Sequence, residues 1–181
     1  MRRHAKSLIH LIESTIGNAC LGAEIGVWRG HTSAALLGRF PALWLYCVDP
    51  WEEGGGHKTM PKELGELIAG REEFYRITDF AGDRRIVCSV ESDLAVGMVR
   101  DDSLDFVFID GEHTYDCVKQ DIGLWLPKVR VGGLLCGHDY DGKGDHHGGF
   151  GVKRAVDEVL AEGMGYTVGV APALIWWVVK R

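Results

Sequence analysis

The stretch GAEIGVWRGHTSAALL, residues 22–37, decides how the rest of the chain is read. A short apolar run carrying Glu24 meets Gly26 and Gly30, and apolar residues three and four apart follow. That order predicts a strand, a tight glycine turn and a helix. Gly26 and Gly30 allow the backbone to turn sharply and a ligand to approach it closely. A dinucleotide site would carry GxGxxG, with a further glycine facing the pyrophosphate. Here Trp28 takes the central glycine's place, and neither a hydroxyl nor a lysine completes a phosphate cradle. Glu24 suits a ligand ammonium group better than a phosphate. Taken alone, the motif also fits a purely structural strand-to-helix turn.

The same alternation continues outward. GAEIGV (22–27), LWLYCVD (43–49), RIVCSV (85–90), LDFVFID (104–110) and GLLCGHD (133–139) read as strands, and segments with helical periodicity lie between them. Leu8, Ile9, Ile12 and Ile16 predict an amphipathic helix over residues 4–16. Val152, Ala155, Val156, Val159 and Leu160 predict another. The tail YTVGVAPALIWWVVKR reads as two strands joined near Pro172. Strands that are apolar on both faces and separated by helices indicate a mostly parallel sheet covered on both sides. No repeat or linker divides the 181 residues, so one domain over 1–181 is expected.

Composition narrows the function. A net charge of -6 argues against nucleic acid as a main partner, because phosphate binding favours basic patches. The five cysteines include no CxxC, and Cys47, Cys88 and Cys136 sit in apolar runs, as reduced cysteines do in a cytoplasmic protein. His10 and Glu13 interrupt the N-terminal segment, so a signal peptide is not expected. ALIWWVV is too short to span a bilayer, and no membrane partner is expected.

In doubly wound sheets, ligands gather at the carboxyl ends of the strands, near the point where strand order reverses. Each of the first five predicted strands ends on polar, acidic residues: Glu24, Asp49, Glu91 with Ser92, Asp110 to His113, and His138 with Asp139. A ligand site along this edge follows. Asp49 is placed to accept both hydroxyls of a ribose, although an exposed aspartate before Pro50 is also a common turn pair.

The ordered set AEIGVWRGHTS, LYCVDPW, DFVFIDGEHTYDCVKQDI, VGGLLCGHDY and GVKRAVDE resembles the class I S-adenosylmethionine-dependent methyltransferases. The specific likeness is to their small metal-dependent O-methyltransferases, of the macrocin and catechol O-methyltransferase types. The resemblance runs from about Gly22 to the last strand. It implies a Rossmann-like, mostly parallel seven-stranded sheet with an antiparallel final strand and helices on both faces. S-adenosylmethionine would be framed by Glu24, Gly26, Trp28 and Gly30, with Asp49 on the ribose. Glu91 and Ser92 would lie at the adenine edge, with Asp110 beside the cofactor. The resemblance further implies that Asp110 and Asp139 bind a divalent metal, Mg²⁺ or Mn²⁺, with His138 as a further candidate ligand. It makes His113, together with Asp110, catalytic, and His113 the base.

This chemistry has a physical rationale. A hydroxyl becomes a good nucleophile only as its proton leaves, and a divalent ion lowers the pKa of a bound hydroxyl. Imidazole accepts a proton near neutral pH. Asp110 could equally cap the following helix, His113 could be a loop histidine, and His138 a buried hydrogen-bonding one. A metal-free histidine-base enzyme therefore also fits the residues. The glycine-rich segment over 51–60, with His57 and Lys58, and the loop carrying His146 and His147 read as lids.

The expected activity is O-methylation of a small-molecule or glycan acceptor. A hydroxylase-like relative with a strand-end metal site and a non-catalytic S-adenosylmethionine-binding module are the competing readings. The chain leaves little room for a cap over the acceptor, so a homo-oligomer supplying one is compatible with the sequence.

Overall fold

The computed structural model describes residues 2–52, 63–141 and 151–181. The expected lids, with His57, Lys58, His146 and His147, lie outside the described residues. Strands β1 (Leu21–Ile25), β2 (Trp44–Val48), β3 (Arg85–Cys88), β4 (Leu104–Ile109), β5 (Val129–Gly137), β6 (Gly169–Ala171) and β7 (Ile175–Val179) form one sheet of order β3-β2-β1-β4-β5-β7-β6. The first five pair in parallel, and β7 runs antiparallel to both β5 and β6. Strand order reverses between β1 and β4, which puts the switch point beside Gly26 and Asp110.

Both faces are covered, and β4 explains the unbroken apolar runs. Successive strand side chains point to opposite faces. Phe106 and Phe108 enter a core with α1 (Arg3–Thr15), α2 (His31–Arg39) and α3 (Leu64–Thr78). Val107 and Ile109 enter the other core with α4 (Ser92–Ala95), α5 (Tyr115–Trp125) and α6 (Val152–Val156). All four are buried, so neither face of β4 tolerates a polar residue. Truncating a core phenylalanine of this kind costs about 3–5 kcal/mol. Helix α6 continues as a π-helical stretch, Asp157–Gly163, where a regular α-helix was expected.

Register fixes the functional edge. Ile25 pairs with Ile109, and Ile109 with Gly137, so one row crosses three strands. The next residues continue it: Asp110 N–H donates to Ile25 O (2.7 Å), and His138 N–H to Ile109 O (3.0 Å). Gly26, Asp110 and His138 therefore leave the sheet side by side. At Gly26, φ is 88°, and a Cβ would collide with the Asp110 carbonyl. This glycine is required both for its backbone conformation and for the close approach of the two strand ends.

Candidate active site

On the β1–β2 side, the carboxylates are buried and engaged. Glu24 is 1% exposed and accepts a short hydrogen bond from Ser33 in the first turns of α2. Burial lifts its pKa to about 8, with the Asp110 and Asp49 charges adding to the rise against the opposing Ser33 bond. Asp49 ties two loops together. Its Oδ2 accepts the Trp28 N–H (2.7 Å) and its Oδ1 the Trp51 N–H (2.9 Å), while Trp51 Nε1 donates to the Trp28 carbonyl (2.8 Å). Both tryptophans hold positive φ, 52° and 46°, a conformation that L-residues adopt only when the surroundings enforce it. The Trp28 indole lies against Gly70 of α3, where a Cβ would sit 3.2 Å from the ring.

On the β4–β5 side, four ionisable groups face one another. His113 Nε2 lies 3.0 Å from Asp139 Oδ2 and 3.8 Å from Asp110 Oδ1. His138 Nδ1 addresses the same two oxygens at 3.1 and 3.6 Å. One donor atom each from Asp110, His113 and Asp139 all lie within 4.8 Å of one another. Burial opposes charging His113, but hydrogen bonds and attraction from Asp110 and Asp139 outweigh it and raise its pKa to about 9. His138 is raised in the same way, against its own burial. For Asp139, burial works upward, yet the two imidazoles hold its carboxyl well below the usual carboxylate range. These opposing shifts describe carboxylates that attract positive charge to one point. Helix α5 takes Thr114 as its N-cap, so Asp110 does not cap it.

Residues 23–140 match the family described as a methyltransferase domain. The chain belongs to this family. No curated protein sequence matches the chain. Solved structures with the same fold include an O-methyltransferase from Bacillus cereus in complex with SAH, at 16% identity and TM-score 0.68, covering 99% of this chain and 82% of that one. The calicheamicin methyltransferase CalS11 is similar at 15% identity and TM-score 0.69, with 98% and 80% covered. An SAH-bound Podospora anserina methyltransferase is similar at 14% identity and TM-score 0.70, with 100% and 79% covered. The fold is that of the class I S-adenosylmethionine-dependent methyltransferases, as the sequence motifs implied.

In this methyltransferase, Gly26, Trp28, Gly30 and Asp49 meet at the turn after β1, and Asp110, His113, His138 and Asp139 meet at the ends of β4 and β5. Glu24 stands apart from a free edge: as the penultimate residue of β1 it reaches α2 instead of opening to a ligand. The Ser92 hydroxyl, expected at the adenine edge, donates instead to Asp121 (2.6 Å) and accepts from Trp125 Nε1 (2.8 Å). Glu91, the N-cap of α4, remains at the end of β3.

Two residues escaped the sequence reading. Asp121 is buried in α5 with its pKa lifted to about 6, first by burial and despite the Ser92 bond, with Asp93 and Glu91 adding repulsion. His4, on α1, lies tilted against the His138 ring, with centroids 5.0 Å apart, and bonds Thr32 Oγ1 at 3.0 Å. An amphipathic pattern marks which helix face is buried, but nothing in it reveals that α1 crosses the strand ends of β5.

Proposed function

We propose that this methyltransferase transfers the methyl group of S-adenosylmethionine to a hydroxyl of a small-molecule or glycan acceptor, with a divalent ion assisting. The observation that carries this reading is the convergence of Asp110, His113 and Asp139 at strand ends next to the Gly26 turn. The donor set fits such an ion. Ligands held about 2.1 Å from a common ion lie roughly 3.0–3.4 Å from one another. The His138–Asp139 contact of 3.1 Å has that spacing.

Gly26 and Gly30 keep the turn after β1 open to the cofactor, and Asp49 holds that turn in place while receiving the ribose. Glu24, neutral near pH 7, acts through Ser33 and the start of α2, with no charge of its own to offer. Glu91 would lie toward the adenine, and the Trp28 indole would line the cofactor pocket. Asp110 and Asp139 would hold Mg²⁺ or Mn²⁺, which when bound supplies positive charge that acidifies a hydroxyl beside it. His113, charged in the metal-free site because of Asp110 and Asp139, would give up that proton as the ion's positive charge enters and would then take the hydroxyl's proton at Nε2.

The test is release of S-adenosylhomocysteine from a panel of catechol, phenol and sugar acceptors, with and without chelator. Turnover should require the divalent ion. His113→Ala should lower turnover by about 100-fold or more, in line with a lost general base, and leave S-adenosylmethionine affinity unchanged. Chelator-insensitive turnover removes the ion from the mechanism, and normal turnover in His113→Ala removes the base. No helix among the described residues is long and apolar enough to cross a membrane.

A further inference from the structure

The turn after β1 holds a shape that its own residues do little to fix. Trp28 and Gly30 both have positive φ, 52° and 75°, and the turn closes through the Gly30 N–H to Val27 O bond (2.9 Å). Asp49 secures it from the end of β2. A second support comes from α3, whose amphipathic pattern carries no functional signal of its own.

Gly70, Glu73 and Phe74 lie three and four residues apart on α3, so they share one face of the helix. That face meets the turn in order. At Gly70, a Cβ would sit 3.2 Å from the Trp28 indole. Glu73 reaches the residues on both sides of Gly30: Arg29 Nη1 donates to its Oε2 (3.1 Å), and its Oε1 lies 3.6 Å from His31 Nε2. Phe74, fully buried, presses on Gly30 itself, where a Cβ would stand 2.5 Å from the ring. The Phe74 ring also lies 5.2 Å from that of Trp51, whose indole N–H holds the Trp28 carbonyl. A glycine in the middle of a helix weakens it relative to alanine. At Gly70, the space so left is where the indole rests.

We propose that Gly70 and Glu73 of α3 are positioning residues for S-adenosylmethionine, which set its affinity by holding the Trp28–Gly30 turn in the shape that receives it. The inference rests on the reading above that this turn frames the cofactor. A left-handed tryptophan relaxes unless its surroundings hold it. Only molecules with the turn in place bind, so the apparent Kd rises as their fraction falls. Gly70 seats the indole and Glu73 spans Gly30, so loss of either contact acts on cofactor affinity and not on methyl transfer once the cofactor is bound. The helix does not need them to stay packed, because Leu67, Phe74 and Thr78 supply the rest of its buried face.

The test is calorimetric titration of the whole chain with S-adenosylmethionine, alongside thermal melts without ligand. Gly70→Ala should raise Kd about tenfold as its methyl group displaces the indole. Its Tm should hold within a few degrees, because alanine's helix propensity offsets the shifted ring. Glu73→Ala should raise Kd about fivefold, an effect limited by solvent at a partly exposed ion pair. Glu73→Gln, whose amide oxygen still accepts from Arg29, should stay within about twofold of wild type. Asp49→Asn tests the cofactor turn independently, since it removes the carboxylate assigned to the ribose. Weaker binding in Asp49→Asn with wild-type affinity in Gly70→Ala and Glu73→Ala would overturn the inference and leave the turn as the cofactor site. Wild-type affinity in all three would overturn that assignment and the inference with it. Affinity lost together with a Tm drop of about 10 °C or more would mark a fold defect and likewise overturn the inference.

Discussion

At the β1–β2 edge, Asp49 is 2% exposed and accepts two backbone N–H groups, and Glu24 is bonded to Ser33. At the β4–β5 edge, Asp110 and Asp139 have side chains 20% and 29% exposed and face imidazoles. The first pair of carboxylates holds backbone in shape; the second pair concentrates charge. A preformed cofactor cradle needs rigid loops, which buried hydrogen bonds provide. Assisting a hydroxyl to lose a proton needs unbalanced negative charge that a cation can answer, and such charge survives only where solvent still reaches it.

The most severe way to break this contrast is to pry the two edges apart. Gly26→Ala places a methyl group against the Asp110 carbonyl at a φ of 88°. It should cost about 3 kcal/mol or more and lower Tm by roughly 10 °C. A thermal melt within a few degrees of wild type would mean that the strand ends need no glycine there.

Removing one carboxylate from each edge sharpens the comparison. Asp49→Ala strands the Trp28 and Trp51 N–H groups and should destabilise the fold by about 3 kcal/mol, while weakening S-adenosylmethionine binding. Asp139→Ala should cost about 1–2 kcal/mol, less than Asp49→Ala because it strands no backbone N–H, retain S-adenosylmethionine binding and lose Mn²⁺ binding. Urea unfolding and calorimetry on both variants decide the matter, and equal stability losses would erase the distinction.

Glu24 gives a smaller, pH-dependent effect. Its folded pKa of about 8 lies above the ordinary 4.5. The stability it confers is complete below the ordinary value and declines as pH rises through 8, because only the unfolded chain then ionises freely. Wild type should lose on the order of 2 kcal/mol relative to Glu24→Gln between pH 6 and 8. Parallel stability curves for the two proteins would show that Glu24 is already charged.

The smallest effect is expected at Asp121, raised from 3.8 to about 6. The same sign applies over a lower window, so Asp121→Asn should remove a decline on the order of 1 kcal/mol between pH 4.5 and 6. Its amide oxygen can still accept the Ser92 hydroxyl. A variant that unfolds outright would show that the carboxylate, beyond its hydrogen bond, holds α4 to α5.

Much of the site was legible because strand ends in a parallel sheet fall on one edge. LDFVFID and GLLCGHD each end on an aspartate, and adjacent parallel strands bring those ends together. The chain's own alternation of strand and helix is enough to place Asp110 and Asp139 as neighbours. The partners of Ser92 were not legible: its place just past a strand end says nothing of Asp121 and Trp125, on a helix far along the chain, which draw its hydroxyl inward. The partner that competes for a hydroxyl is a three-dimensional fact. His4 belongs to the same class, since only helix packing brings residue 4 against residue 138.

The sequence by itself determined the sheet, its two covered faces and the edge on which the acidic residues gather, because apolar periodicity is local and strand ends inherit their position from it. It also determined the family, through the order of motifs along the chain. Only the tertiary structure decided which carboxylates are buried in hydrogen bonds and which face imidazoles. It alone showed that a left-handed turn at Asp139 brings His138 onto the same point. Hydrogen-bond partners, burial and convergence depend on distances between segments far apart in the chain, and local pattern carries no record of those distances.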